Sequence, residues 1–270
     1  MQKNIAFIKI TIVTVCYNAV KEIETTMLSV LNQTYPNVEY IIVDGGSTDG
    51  TMEVINKYRD RLSAVISEQD KGTYDAMNKG IAMATGDWIN FMNAGDSFCT
   101  IDVLYQMFSD KISADCGVLF GNSREYRDNI LYSVKPRPFY LSKKKHFSKG
   151  ICHQSMFLRT MLARRYPFDL AYPVAADFNM VYHIFKNELY RFEYKDVDVA
   201  QYDLMGFSNK NVAQAYYEEA CIINPNAKNN RPLLMLKGKT IHCIKQAIIK
   251  MLGLFPSLKR KLRGINKIEL

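Results

Sequence analysis

Apolar and polar positions along the first 92 residues form two alternating kinds of segment: short β-branched runs and longer stretches with helical spacing. In the first of the longer stretches, Ile23, Met27 and Val30 fall on one helical face. The predicted strands are Ile8–Val15, Val38–Val43, Ala64–Ile66 and Asp87–Met92, and the predicted helices are Val20–Asn32, Gly50–Tyr58 and Tyr74–Met83. Such a series predicts a parallel sheet in the N-terminal half.

From Asp115 the pattern changes, because strand-like runs follow one another with few intervening helices. The segments CGVLFGN, NILYSVKP and ICHQSMFL each predict a strand. Val174 to Lys186 predicts a helix entered through Pro173. The chain therefore belongs to the α/β class, with a mixed sheet whose parallel N-terminal half is extended by antiparallel additions.

Polar side chains stand where the predicted strands end. They are Tyr17 after the first strand, Asp44 at the end of the second, Asp70 after the third, and Asn93 and Asp96 after the fourth. In an open α/β sheet, ligands bind in the crevice at the carboxyl ends of the strands. We therefore expect these side chains to line one pocket.

Positive charge is concentrated at the C-terminal end of this 270-residue chain, whose formal net charge is +8. From Arg231 onwards ten basic residues stand against one acidic residue, so the rest of the chain is close to neutral. The preceding stretch INPNAKNNRP has the composition of a linker. We therefore divide the chain into a globular domain at residues 1–222, a linker at 223–232 and a basic tail at 233–270.

The tail also predicts an amphipathic helix. Its apolar stripe comprises Ile241, Ile244, Ile248, Met251, Leu252 and Phe255, and a basic cluster follows at residues 259–263. A helix of this kind followed by cations is typical of a segment that lies on an anionic membrane surface. Packing on the domain would explain the helix but not the charge surplus. Few aromatic side chains are available for base stacking, so we expect no nucleic acid partner.

The six cysteines lie far apart with no CxxC pair, which favours reduced thiols over a disulfide framework or a zinc site. The N-terminal residues lack the apolar region and cleavage site of a signal peptide. No apolar run approaches the roughly 20 residues that span a bilayer. We therefore expect a cytoplasmic protein that lies peripherally on the inner face of the cell membrane.

Four motifs follow one another along the chain: TVCYNA, IIVDGGSTDGT, DKGTYDAMNKG and the acidic turn after GDWINFM. In this order and spacing they resemble the inverting glycosyltransferases of family 2, which have the GT-A fold, over about Ile10 to Leu204. The resemblance implies a GT-A-like sheet with a nucleotide-binding parallel half and additions on the acceptor side. It also implies sugar transfer from a nucleotide diphosphate donor, with inversion by direct displacement.

The donor side of the expected site combines four residues. Asp44 can accept a hydrogen bond from a ribose hydroxyl or a base N–H, or it can instead shape its own turn. Tyr17 can stack on a base, as in the family it resembles, or be an aromatic residue at a strand end. The resemblance places Asp70 and Asn78 at the nucleotide site. The chain has no GxGxxG, which disfavours a nicotinamide dinucleotide fold.

Asp96 carries the argument for a divalent cation. A nucleotide diphosphate leaves as an oxyanion, and Mg²⁺ or Mn²⁺ bridging its phosphates neutralises the developing charge. The family usually supplies a DxD here, whereas this chain reads NAGD, with Asn93 in place of the first carboxylate. Asparagine can offer a neutral oxygen, and Mg²⁺ needs only one or two carboxylates besides the phosphates. A plain turn would also tolerate NAGD.

An inverting transfer also needs a base on the acceptor side. Asp177 resembles the catalytic aspartate of the family, although an acid in the first turn of a helix needs no chemical role. Asp169 is the alternative base in the same region. His153 resembles a histidine found near the phosphate or acceptor site, and its other interpretation is a structural residue of an apolar strand.

The sequence therefore predicts a glycosyltransferase with a nucleotide-sugar donor, UDP being favoured over GDP, and a saccharide acceptor that is lipid-linked, in bacterial surface polysaccharide synthesis. One alternative is a membrane-bound nucleotide-sugar sensor without turnover, which the scarcity of carboxylates in NAGD permits. The other is a nucleotidyltransferase, which should carry a phosphate loop rich in Gly, Arg or Lys near its first strand. CYNAVKEIE is no such loop.

Overall fold

The computed structural model describes residues 7–127, 130–135, 152–186, 189–203 and 210–254. The chain divides into two compact units, Met1–Gly206 and Phe207–Leu270. The described part of the first unit is built around one sheet, and that of the second unit is helical. Each unit is considered by itself.

The sheet contains nine strands within the described residues. They are β1 Ile10–Cys16, β2 Val38–Asp44, β3 Ala64–Ser67, β4 Trp88–Phe91, β5 Ser97–Phe98, β6 Cys116–Arg127, β7 Ile130–Lys135, β8 Met156–Arg159 and β9 Arg191–Asp203. Their order is β3-β2-β1-β4-β8-β6-β9-β5, and β7 pairs with β6. Strands β1 to β4 pair in parallel, whereas β8 is antiparallel to both β4 and β6. The expected parallel half with antiparallel additions is thus confirmed.

Helices cover both faces of this sheet. In the first unit they are α1 Ile23–Leu31, α2 Thr51–Asn56, α3 Thr73–Met83, α4 Val103–Phe108, α5 Thr160–Arg165 and α6 Ala176–Lys186. The second unit, taken by itself, contains α7 Val212–Ile223 and α8 Arg231–Leu254. Alternate residues of β1 serve the two faces, so Ile12 packs with α1 while Val13 packs with α3. A Cβ at Gly80 would lie 2.4 Å from Val13 Cγ1, so α3 lies close to the sheet only because this residue has no side chain.

Three expectations from the sequence need correction. The HQS part of ICHQSMFL is not a strand, because His153–Ser155 form a 3-10 turn and β8 begins at Met156. The residues expected to form a linker are helical: Pro225–Asn230 form a 3-10 helix and α8 begins at Arg231. Residues 212–222, given by the sequence analysis to the globular domain, belong to helix α7 in the second unit.

A buried carboxylate, that of Glu39, joins the amino-terminal ends of neighbouring parallel strands through hydrogen bonds. Glu39 of β2 accepts hydrogen bonds from Lys9 Nζ at 2.8 Å, from Thr11 Oγ1 at 2.6 Å, and from the backbone N–H and hydroxyl of Thr85. Burial raises the pKa of Glu39, but these bonds outweigh burial and lower its pKa to about 2. Ionised Glu39 therefore stabilises the fold.

We expect Glu39→Gln to lower the free energy of unfolding at pH 7 by about 2 kcal/mol, because charge-assisted hydrogen bonds are lost. The native pKa of about 2 lies below the ordinary value of 4.5, so this stabilisation is complete above pH 4.5 and is lost as pH falls towards 2. Urea unfolding of both proteins at several pH values measures the difference. Asp60→Asn, which changes an exposed aspartate, is the control and should leave the free energy of unfolding close to that of the wild type. If the difference between Glu39→Gln and the wild type did not change with pH, the interpretation would be contradicted.

Candidate functional site

The turn after β2 is built around the carboxylate of Asp44. This carboxylate is buried and accepts hydrogen bonds from the N–H groups of Gly46 and Ser47 and from the hydroxyls of Ser47 and Ser67. Burial raises the pKa of Asp44, but the hydrogen bonds from Ser47 and Ser67 outweigh it and the net pKa is lowered. The structure thus shows Asp44 shaping its own turn, which was one of its two interpretations.

Tyr17 and Asp70 meet over Gly45, beside this turn. A Cβ placed on Gly45 would lie 2.6 Å from Asp70 Oδ2 and 3.4 Å from the ring of Tyr17. Tyr17 is 65% exposed, so its side chain is accessible to a ligand. The other carboxylate oxygen of Asp70 accepts a hydrogen bond from the N–H of Gly72 at the start of α3. The predicted Tyr17 and Asp70 therefore share one small surface.

Asn78 is not part of that surface. Its Nδ2 donates to the carbonyl of Phe168 at 2.8 Å, and its Oδ1 accepts from the N–H of Phe168 at 2.9 Å. Both polar atoms of the side chain are therefore engaged in tying α3 to the segment before α6. A contact between Asn78 and a nucleotide stays a prediction.

The NAGD turn after β4 carries two oxygens suited to a cation. Asp96 Oδ2 accepts a hydrogen bond from Gln154 Nε2 at 2.8 Å, and Asp96 Oδ1 has no hydrogen bond to the described residues. Asn93 Oδ1 is buried and also lacks a hydrogen-bond partner there. Burial raises the pKa of Asp96 to about 6, against the lowering effects of the Gln154 hydrogen bond and the nearby His153.

His153 connects the NAGD turn to Asp177. Its Nε2 lies 3.2 Å from Asn93 Nδ2, and its Nδ1 lies 3.2 Å from Asp177 Oδ2. Both contacts are satisfied when Nδ1 carries the proton and Nε2 accepts from the amide. The predicted residues Asn93, His153 and Asp177 therefore form one connected chain of side chains.

Asp177 lies in the first turn of α6, with its side chain 28% exposed. Its Oδ1 accepts hydrogen bonds from the N–H of Phe178 at 2.7 Å and from the hydroxyl of Tyr74 at 3.2 Å. Burial raises the pKa of Asp177, but the hydrogen bond from His153, together with these two donors, outweighs burial and lowers it. Asp177 is thus an ionised carboxylate with an accessible edge.

Asp169, the alternative base, lies outside this cluster. It is exposed, and its Oδ1 accepts a hydrogen bond from the N–H of Ala171 at 2.9 Å. That contact closes a local turn of a kind that aspartate commonly forms. The geometry therefore favours Asp177 over Asp169.

Several residues of the site were not singled out from the sequence. Gln154 holds Asp96, Tyr74 holds Asp177, and buried Asn90 donates to the carbonyls of Gln154 and Met156. The only signal in the sequence was the polar break HQS within an apolar run. For Asn90, the corresponding signal was its own position as a polar residue in the middle of the apolar strand β4.

The residues present could supply only part of the coordination shell of a divalent cation. Among the described residues, no group of three or more His, Cys, Asp and Glu side chains could hold a metal ion. The unpartnered oxygen of Asn93 and the carboxylate of Asp96 could supply two ligands. Phosphate oxygens would complete a shell of this kind, since Mg²⁺ is commonly held by one or two carboxylates together with substrate phosphates and water.

Comparison with known sequences gives one family. The profile of glycosyl transferase family 2 matches residues 11–194. A PGL/p-HBAD biosynthesis glycosyltransferase of Mycobacterium tuberculosis is 34% identical over 185 residues, which cover 66% of this chain and 70% of that protein. TuaG of Bacillus subtilis, named for teichuronic acid biosynthesis, is 37% identical over 92 residues, covering 33% of this chain and 36% of TuaG.

Solved structures are similar in fold. TarS 1-349 from S. aureus in complex with UDP has a TM-score of 0.59 at 19% identity, covering 80% of this chain and 65% of that chain. The mannosyltransferase PcManGT from Pyrobaculum calidifontis, in complex with GDP-Man and Mn²⁺, has a TM-score of 0.64 at 18% identity, covering 96% of this chain and 80% of that chain. At such identities the likeness concerns the fold, and the expected GT-A-like mixed sheet is confirmed.

Proposed function

Since this chain belongs to glycosyl transferase family 2, we propose that it moves a sugar from a nucleotide diphosphate donor to a saccharide acceptor, with inversion at the anomeric carbon. One observation carries the proposal. Asp96, suited to a cation and a diphosphate, and Asp177, suited to accept a proton, are both held by the single turn His153–Ser155. Such a pair of carboxylates is what a displacement at a sugar carbon requires on its leaving-group and attacking sides.

We assign the nucleoside to the surface formed by Tyr17, Gly45 and Asp70. The exposed ring of Tyr17 can stack on a base, and the carboxylate of Asp70 can accept from a ribose hydroxyl. Asp44 and Asn78 act beneath this surface, since their polar atoms fix the turn and α3 that form it. Direct contact of either residue with the donor requires those bonds to rearrange.

We assign the cation to Asp96 and Asn93, and Mg²⁺ or Mn²⁺ suits this oxygen set. When bound, the ion would offset the charge that develops on the departing diphosphate. The support from relatives is indirect: PcManGT was crystallised with Mn²⁺. The ligands in this chain are one carboxylate and one amide oxygen, so the donor phosphates must supply further ligands.

Asp177 is the general base in this proposal. As the acceptor hydroxyl oxygen bonds to the anomeric carbon, its proton passes to the carboxylate of Asp177. The bond from that carbon to the diphosphate oxygen breaks, and its electron pair stays on the oxygen. The lowered pKa keeps Asp177 ionised before the reaction, and Tyr74 and His153 fix its orientation.

The relatives support an acceptor in surface glycan synthesis. The Mycobacterium tuberculosis relative is named for PGL/p-HBAD biosynthesis and TuaG for teichuronic acid biosynthesis. We infer a lipid-linked saccharide acceptor and favour UDP over GDP in the donor, although the structural neighbours include complexes with each nucleotide.

We further propose that the second unit rests on an anionic membrane surface at the cytoplasmic face. Leu233, Leu236 and Ile244 of α8 are 65%, 62% and 54% exposed and share one helical face. Lys237 and Lys239 are exposed beside them. Side chains 245–254 and the basic cluster at 259–263 lie outside the description. No helix among the described residues has both the length and the apolar character of a bilayer span.

Replacing Leu233, Leu236 and Ile244 together with Gln should lower binding to anionic vesicles at least tenfold, because apolar burial contributes about 1.5 kcal/mol or more for each side chain. Sedimentation with phosphatidylglycerol vesicles measures this. Ile101→Gln, which changes an equally exposed residue of the first unit, is the control. Unchanged sedimentation of the triple variant would remove α8 from the proposed surface, and high salt should weaken wild-type binding only in part.

The proposed activity is tested by incubating the full-length protein with UDP- and GDP-sugars, with and without Mn²⁺, and a lipid-linked saccharide. Mass spectrometry should detect a glycosylated product together with released nucleotide diphosphate. Gly45→Ala tests the donor surface in the same assay. It should form less product than the wild type, because a Cβ at this position would collide with Asp70 and touch Tyr17. Nucleotide binding without product would favour a nucleotide-sugar sensor, and pyrophosphate release would favour a nucleotidyltransferase.

A further inference from the structure

Gln154 contacts Asp96 from the turn in which the preceding residue, His153, contacts Asp177. Its side chain is buried, at 7% exposure. The amide Nε2 donates to Asp96 Oδ2 at 2.8 Å, and Oε1 accepts from the thiol of Cys152 at 2.5 Å. The carboxylate of Asp96 fixes which end of the amide faces it, because only the NH₂ end can donate to a carboxylate.

The turn that carries Gln154 is fastened to the centre of the sheet. Asn90 of β4 is fully buried, and its Nδ2 donates to the carbonyl of Gln154 at 2.9 Å and to that of Met156 at 2.8 Å. Its Oδ1 has no hydrogen-bond partner within the described structure. An unpaired buried amide oxygen costs about 1–3 kcal/mol, and such groups are rare away from functional sites. Asn90 therefore fixes the position of this turn, and its unpaired oxygen lowers the stability of the fold.

We propose that Gln154 is a positioning residue for the donor side of the reaction: it fixes Asp96 through Oδ2 so that Oδ1 faces the cation and diphosphate. This inference rests on the proposed function. His153, the preceding residue, holds Asp177 in the same way on the acceptor side. One turn of three residues therefore sets the distance between the two carboxylates.

An amide suits this position better than other side chains. A glutamate would place a second carboxylate against Asp96, and a serine or threonine could not span the distance from the turn. A neutral donor restrains Asp96 without neutralising the negative charge that attracts a cation. Partners of this kind, one step away from a metal ligand, typically change metal affinity by about 10- to 100-fold when removed.

The test compares nucleotide binding with and without Mn²⁺ by calorimetry, using UDP or GDP, whichever binds the wild-type protein more tightly. In Gln154→Leu, metal-free affinity should match the wild type, whereas the enhancement by Mn²⁺ should fall about tenfold or more. Ser155→Ala is the matched control, because it removes a hydrogen bond to Cys152 within the same turn and touches neither carboxylate. It should keep the full enhancement.

A folded Gln154→Leu with the wild-type Mn²⁺ enhancement would overturn the assignment, and so would an equal loss in Ser155→Ala. If the leucine variant does not fold, Gln154→Asn decides, since it keeps the amide but is one methylene too short to reach Asp96. It should lose the enhancement, and retention would overturn the assignment. Absence of nucleotide binding by the wild type in Mn²⁺ would instead refute the proposed function, so the two failures are distinguishable.

Discussion

Asp177→Asn should lower the rate of glycosyl transfer by on the order of 10²-fold or more while leaving donor affinity almost unchanged. The asparagine has nearly the same shape and can still accept from the N–H of Phe178, so α6 should keep its first turn. It cannot take up the proton of the acceptor hydroxyl. Turnover with saturating donor, together with calorimetry for the nucleotide, separates these two effects.

The pH dependence of the wild-type enzyme provides a second measurement. The pKa of Asp177 lies below its ordinary value of 3.8, so this carboxylate stays ionised at every pH above that value. Its titration should therefore cause no loss of activity between pH 5 and 9. Asp169→Asn, which changes the exposed aspartate of the same region, should be close to wild type. Normal transfer by Asp177→Asn together with loss in Asp169→Asn would exchange their roles.

Asp96→Ala should abolish the enhancement of nucleotide binding by Mn²⁺, because the only carboxylate of the NAGD turn is removed. The loss should be at least the roughly 10- to 100-fold that follows removal of a partner one step further from a metal. Calorimetry with UDP and GDP, with and without Mn²⁺, measures it, and metal-free binding of the same variant shows that the nucleoside surface is intact.

Asp96→Asn is a milder substitution at the same position. It keeps one neutral oxygen towards the cation, so it should retain more of the Mn²⁺ enhancement than the alanine variant. A folded Asp96→Ala with wild-type affinity in Mn²⁺ would remove Asp96 from the cation site. Asn93 would then lack a carboxylate beside it, and metal dependence would have to rest on the donor phosphates.

Periodicity predicted the parallel half of the sheet well, because the buried strands β1, β2 and β4 and the half-buried β3 alternate with helices of clear helical spacing. The only tryptophan, Trp88, lies in β4 and is fully buried in the core. Strand β9 was not predicted. Its alternation of polar and apolar residues is broken where Lys195 and Asp196 stand side by side. Its pairing with β6 shifts register in the same place, between Tyr194 and Asp198, so no single period runs through the whole strand.

The site was predicted less completely than the fold, because its contacts join residues that are far apart in the sequence. Carboxylates at strand ends can be located from strand boundaries alone, which brought Asp44, Asp70 and Asp96 to attention. Their partners cannot, since Gln154 meets Asp96 and Tyr74 meets Asp177 across long stretches of chain. Only tertiary packing shows that the polar atoms of Asn78 are bound to the backbone of Phe168.

The saturated carboxylate of Asp44 bears on the thermodynamics of ligand capture. Its hydrogen bonds come from neighbouring groups of the protein, so folding itself orders the loop beneath Tyr17. The conformational entropy of that loop is lost during folding rather than during association. More of the gross contact energy with a nucleoside can therefore appear as affinity than if the loop had to close around it.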